Sequence, residues 1–224
     1  EKGQGPWPAV IFFMDGLAIR PALLAMGQRL ANAGYAVLLP DMFWRAGPYE
    51  PVDVAEVFAG GSIRARLGHL FASITPALAA RDTAAFLAWL DARADVAKGK
   101  VGATGYCMGG AMALTAAATW PDRFGAAASF HGGNLATDAP DSPHLLASKI
   151  TARVLVAGAD RDESYPPEMN ARLDEALTDA GVDHVCEIWP GALHGWTMTD
   201  FPIHDELSAE RHWRELVALF DATL

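Results

Sequence analysis

Six short apolar runs alternate along the chain with stretches in which apolar residues recur every three to four positions. The first run, Pro8 to Met14, reads Pro-Ala-Val-Ile-Phe-Phe-Met without a polar break, as a strand buried on both faces of a parallel sheet does. Further strands are predicted over Tyr35 to Leu39, Lys100 to Gly105, Gly125 to Phe130, Ala152 to Ala157 and Val185 to Trp189. Helical spacing fills the intervals. Over residues 20–33 it is carried by Leu23, Leu24, Met26, Leu30 and Ala31, with Gly34 as C-cap. Residues 74–94 place Leu78, Ala85, Phe86, Trp89 and Leu90 at the same spacing. Ala111 to Thr119 is a run of small residues suited to close packing on a sheet, and Pro166-Pro167 opens another helix with prolines in its first turn. A closing helix spans roughly Asp205 to Ala222. Strand and helix alternate throughout, so the expected class is α/β: a mostly parallel central sheet with helices on both faces and reactive groups on loops at the carboxyl ends of the strands.

One segment breaks the alternation. From Pro40-Asp41 to about residue 75 the chain is rich in proline, glycine and aromatics, including Phe43, Trp44, Tyr49 and Phe58. Such a stretch is expected to run as an excursion over the mouth of a site, a plain surface crossover being the competing reading. At 224 residues the chain is long enough for a single α/β domain and short for two. Its formal net charge of −10, with no basic patch, argues against nucleic acid or an anionic membrane surface as partner. Nothing approaches the roughly 20 apolar residues that span a bilayer. Two cysteines without zinc-type spacing fit a reducing cytoplasm. The chain begins at Glu1 with no initiator Met, and residues are expected upstream.

Chemistry centres on Gly105-Tyr106-Cys107-Met108-Gly109-Gly110, between a predicted strand and the alanine-rich helix. Gly-x-nucleophile-x-Gly is the pattern of an elbow that lifts a reactive side chain onto a sharp turn, with glycines where a Cβ would collide with backbone. Cys107 in that slot stands beside a helix N-terminus, whose partial positive charge favours thiolate over thiol. A buried structural cysteine is the plainer alternative. A nucleophile needs a base, and the base an acid that fixes its tautomer. In this strand order the three follow as nucleophile, acid, histidine. Among seven histidines, only His131 and His194 directly follow a strand in a glycine-rich turn, and His131 precedes the acid, which is the wrong order. His69, His144, His184, His204 and His212 read as surface or strand positions. The acid is Asp160 or Asp162, both just after the fifth strand.

These residues resemble the dienelactone hydrolase family of α/β-hydrolases. The likeness covers nearly the whole chain: the strand ending at Met14-Asp15-Gly16, the Gly34-Tyr35 strand to Pro40-Asp41 and Arg45, the cysteine elbow, Asp162-x-x-x-Pro166, and Gly191-Ala192-x-His194. The resemblance implies an α/β-hydrolase fold and a Cys107–Asp162–His194 triad that hydrolyses esters or lactones through an acyl-thioester. By the same analogy, Met108 and Gly16 supply the oxyanion-binding N–H groups, and Asp15, where members usually carry glutamate, holds the nucleophile. Arg64 and Arg66 are candidates to meet a substrate carboxylate, although no arginine follows His194. Trp196 and Trp44 either border the pocket instead, which suits a more neutral ester, or serve as core or rim packing. The leading expectation is therefore a hydrolase of small carboxylic esters or lactones that needs neither cofactor nor metal. A non-catalytic ligand-binding protein of the same fold is the alternative. A thiol redox enzyme is disfavoured because Cys107 has no resolving partner nearby.

Overall fold

The computed structural model describes residues 5–50, 52–60 and 63–224, without the side chains of residues 63–66. Its six strands are β1 (Ala9–Phe13), β2 (Ala36–Leu38), β3 (Val101–Tyr106), β4 (Phe124–Phe130), β5 (Arg153–Ala159) and β6 (His184–Trp189). They form one sheet in the order β2-β1-β3-β4-β5-β6, and every neighbouring pair is parallel. The helices are α1 (Pro21–Asn32), α2 (Val54–Phe58), α3 (Ile63–Phe71), α4 (Pro76–Asp91), α5 (Met108–Thr119), α6 (Pro167–Asp179) and α7 (Glu206–Thr223).

Side chains alternate across a strand, so two glycines of β3 report which helix covers which face. A Cβ on Gly102 would lie 2.7 Å from the Phe220 ring of α7, whereas one on Gly105 would lie 1.9 Å from the Gly109 carbonyl oxygen of α5. Helices α5 and α7 therefore sit on opposite faces. Arg29 of α1 pairs with Glu210 of α7 at 2.6 Å, which puts α1 on the α7 face. On the other face α4 packs on α5, and the Trp120 indole N–H at the end of α5 donates to the Ala80 carbonyl at 2.8 Å. Because α5 is pressed between α4 and the sheet, every residue from Gly109 to Ala118 is buried, and small side chains are what let it approach so closely. Large side chains fill the rest of the core. Phe12, Phe13, Phe124 and Phe130 are fully buried, each worth on the order of 2–3 kcal/mol.

The predicted strands and long helices are present, with ends set by local chemistry. Helix α4 starts at Pro76, two residues later than the spacing suggested, because the Thr75 hydroxyl accepts the Leu78 N–H at 3.2 Å and Pro76 takes the first turn. The segment predicted as an excursion contains a short 3₁₀ turn at Trp44–Ala46 and the helices α2 and α3. The reading of His212 changes outright. His212 is fully buried on α7, where its Nε2 accepts the Tyr106 hydroxyl at 2.8 Å and its Nδ1 donates to the Ala209 carbonyl at 3.2 Å. Among the described residues no helix is long and apolar enough to cross a membrane.

Strand register gathers the carboxyl ends at one edge. Phe13 pairs with Gly105, Tyr106 with Phe130, Phe130 with Ala157, and Ala159 with Trp189. The turns after these strands, at Asp15, Cys107, His131, Asp162 and His194, are consequently neighbours.

Candidate active site

Between β3 and α5 the chain bends at Cys107, whose φ of 54° and ψ of −118° lie outside the regions a side-chain-bearing residue ordinarily adopts. Such a conformation costs on the order of 1–3 kcal/mol and persists only when its surroundings enforce it. Here the Cys107 N–H donates to the Phe130 carbonyl at 3.2 Å, and the Cys107 carbonyl accepts the Gly110 N–H at 3.1 Å. Gly109 lies against β1, where a Cβ would come within 2.3 Å of the Phe13 carbonyl oxygen. Tyr106 anchors the bend from below, stacked on Phe12 at 4.7 Å and tied to His212. Burial pushes the Tyr106 hydroxyl above its usual pKa and pulls His212 down to about 3, so both stay neutral.

His194 reaches the same edge from the turn after β6. Its Nδ1 lies 2.6 Å from Asp162 Oδ2, and the other Asp162 oxygen accepts the Ser164 N–H at 2.8 Å and the Ser164 hydroxyl at 2.7 Å. Asp160 is engaged elsewhere: its Oδ2 accepts the Gly191 N–H at 3.0 Å, and its own N–H donates to the Ala192 carbonyl at 2.7 Å. Of the two acids, Asp162 is thus the one that meets His194, while Asp160 staples the turn that carries it. Burial would lower the His194 pKa, but the hydrogen bond to Asp162 and the neighbouring Cys107 sulfur outweigh it and raise it to about 10. Asp162 in turn is kept below the usual carboxylate range: burial works against this, but the contacts with His194 and Ser164 prevail.

Cys107 and His194 open into one cavity of about 180 Å³, lined also by Asp15, Gly16, Leu17, Phe58, Phe71, His131, Gly195 and Phe201. Of the two readings of the tryptophans, packing away from the cavity is the one the structure shows. Trp196 is fully buried behind the cavity, 5.0 Å from the His131 ring, and Trp44 is exposed, its indole donating to Asp82. Phe58, Phe71 and Phe201 take their place, two of them from the segment over residues 41–75. Asp15 differs from its expected part. Its two oxygens accept Arg20 Nη1 at 2.7 Å and Arg20 Nη2 at 2.8 Å, and Oδ1 also accepts the Leu17 N–H at 2.9 Å. The short aspartate side chain is committed to Arg20, which on its other side meets Asp200 at 2.6 Å and lies 5.0 Å from the Phe201 ring.

Gly16 borders the cavity, and a Cβ there would strike Phe71 at 2.8 Å. The Met108 N–H, first in α5, is one of the amides a helix leaves without an internal acceptor. His131, set aside in the sequence for its order, is fully buried with its ring 5.2 Å from that of His194 and its Nε2 2.7 Å from Thr197 Oγ1. Burial first, and His194 second, keep it neutral by holding its pKa well below 6.5. The side chains of Arg64 and Arg66 fall outside the described residues. Among the described residues, side chains of metal-binding type gather at Asp174, His184 and Cys186, none of which lines the cavity.

The sequence profile of the Dienelactone hydrolase family matches residues 1–224. An Escherichia coli (strain K12) protein that bears the provisional name carboxymethylenebutenolidase is 25% identical over 224 residues, spanning 98% of this chain and 79% of that one. Among solved structures, a protein from Klebsiella pneumoniae subsp. pneumoniae, provisionally titled a dienelactone hydrolase, superposes with a TM-score of 0.83 at 23% identity, covering 99% of this chain and 89% of that chain. A dienelactone hydrolase-like promiscuous phosphotriesterase from metagenomic libraries reaches a TM-score of 0.78 at 27% identity, over all of this chain and 89% of that one.

Proposed function

The chain belongs to the dienelactone hydrolase family, with the α/β-hydrolase fold, and on that premise we propose that it cleaves small carboxylic esters or lactones with Cys107 as nucleophile, His194 as base and Asp162 as the acid that orients it. The observation that carries the reading is the meeting of Cys107 and His194 in one cavity, with His194 Nδ1 2.6 Å from Asp162. With Nδ1–H given to Asp162, Nε2 is left to serve the reacting groups.

In the proposed sequence the Cys107 thiolate adds to the carbonyl carbon and the carbonyl electrons move onto oxygen. The Met108 and Gly16 N–H groups stabilise that oxyanion, each such donor being worth about 3–4 kcal/mol in acyl transfer. Collapse breaks the carbon–oxygen bond, the leaving alkoxide takes a proton from the His194 imidazolium, and an acyl-thioester remains on Cys107. His194 then takes a proton from water as its oxygen attacks the thioester, and the Cys107 thiolate departs.

Substrate class follows from the walls. Leu17, Phe58, Phe71 and Phe201 make the cavity apolar, and the nearby Arg20 already carries two carboxylates, Asp15 and Asp200. A neutral acyl group fits this surrounding better than one bearing a free carboxylate. Phe58 and Phe71 act in this reading as a cover over the cavity. Replacing Cys107 by Ala tests the assignment: hydrolysis of an activated aryl ester is lost while the circular dichroism is kept, and unchanged turnover refutes it.

A further inference from the structure

Away from the cavity, three side chains of metal-binding type meet between the edge strand β6 and the helix α6. His184 and Cys186 stand two positions apart on β6, so both project from one face of the strand, and Asp174 comes from α6. One ligand atom from each lies within 4.8 Å of the other two.

The hydrogen bonding of His184 says what belongs among them. Its Nδ1 is 2.8 Å from the Val182 carbonyl oxygen, which can only accept, so Nδ1 carries the ring proton. In a neutral ring Nε2 is then a bare lone pair, yet it faces Asp174 Oδ1 at 3.1 Å. Two acceptors that close repel unless a positive centre sits between them, either a second ring proton or a metal. A ring N–H fixed by a backbone carbonyl is also the device that sets the tautomer and aim of a metal-binding histidine. Nitrogen and oxygen ligands at about 2.0–2.1 Å from a tetrahedral zinc ion stand about 3.3 Å apart, close to the spacing of this pair.

We propose that Asp174, His184 and Cys186 form a binding site for a zinc-class divalent cation, with the fourth position open to water on the side where Asp174 is exposed. Sulfur and imidazole select such an ion over magnesium or calcium. Binding breaks the Cys186 S–H bond and forms a metal–sulfur bond, and the proton leaves to solvent. Position gives the site a consequence for the cavity. Helix α6 follows the turn of Asp162, and β6 leads into the turn of His194, so the cation clamps together the two elements that carry this pair.

The test uses the full chain with Cys107→Ser, so that the cavity sulfur supplies no ligand, after metal has been stripped with a chelator. Zinc chloride then binds one equivalent by calorimetry and raises the thermal midpoint, whereas magnesium chloride does neither. Cobalt chloride gives the near-ultraviolet band of a thiolate-to-metal transfer. Adding Cys186→Ser abolishes that band and weakens zinc binding at least about tenfold, as His184→Gln also does. An unchanged far-ultraviolet circular dichroism spectrum of Cys186→Ser shows that the fold is kept. No zinc binding to the Cys107→Ser protein, a cobalt complex lacking the sulfur band, or binding indifferent to Cys186→Ser overturns the proposal.

Discussion

Asp162 Oδ2 lies 2.6 Å from His194 Nδ1, and the same carboxylate is held from its other oxygen by the N–H and hydroxyl of Ser164. Two donors from Ser164 fix the plane of the carboxylate, so the imidazole is aimed rather than merely attracted. In the proposed mechanism Asp162→Asn presents an amide that favours the wrong tautomer and costs about 10³- to 10⁴-fold in kcat. Asp160→Asn loosens the Gly191 turn and leaves the rate within about tenfold. Kinetics of the two variants side by side decide between them, and equal losses contradict the assignment.

The two cysteines separate by reactivity. Burial, with the charge of Asp174 behind it, pushes the Cys186 thiol up to about 12, whereas Cys107 opens into the cavity beside His194. Iodoacetamide at pH 6 to 7 therefore modifies Cys107 first and stoichiometrically, with Cys186 unmodified, as peptide mass mapping reads directly.

Gly105 and Arg20 show which parts of this arrangement the sequence made legible. Gly105 was readable because a local pattern names it: the motif requires a missing Cβ, and the structure leaves 1.9 Å for one before the Gly109 carbonyl. Gly105→Ala is expected to destabilise the protein by more than about 3 kcal/mol, because the obstacle is backbone and cannot rotate away. The same local logic found the strands and the long helices, each written in its own periodicity. Arg20 was not readable. Its partner Asp200 lies 180 positions away, and neither residue belongs to a periodic pattern that points at the other. Phe201 escapes at the cavity for the same reason, whereas His131 stands out in its glycine-rich turn and only chain order sets it aside; His212 reads as a surface or strand position although Tyr106, 106 positions earlier, holds it in the core.

Arg20 compensates two carboxylates, one of them the buried Asp15. Arg20→Leu leaves Asp15 buried without its cation and is expected to cost about 3–5 kcal/mol in urea unfolding. Adding Asp15→Asn to Arg20→Leu recovers part of that loss. A double variant no more stable than the single one would mean that Arg20 acts through packing on Phe201 alone.

Stability carries a signature of the buried histidines. In the unfolded chain an imidazole takes its proton near pH 6.5, but burial delays this in the folded protein to about pH 3 for His212 and well below 6.5 for His131. Below pH 6.5 the unfolded state binds more protons, so stability falls on acidification, up to about tenfold in the folding equilibrium per pH unit and histidine. His194 works in the opposite sense. Its pKa is raised to about 10, so its contribution is complete below about 6.5 and is lost as pH climbs to 10. Urea midpoints from pH 4 to 10 read both limbs, and His212→Gln should flatten only the acid one.

The most direct measurement is of the acyl-thioester itself. With an aryl acetate as substrate and an acid quench during turnover, mass spectrometry should find one acetyl group on the peptide containing Cys107, accumulating further in His194→Ala, where hydrolysis of the thioester lacks its base. Acetyl transfer to any other residue, or full turnover with Cys107 replaced by Ala, would contradict the account.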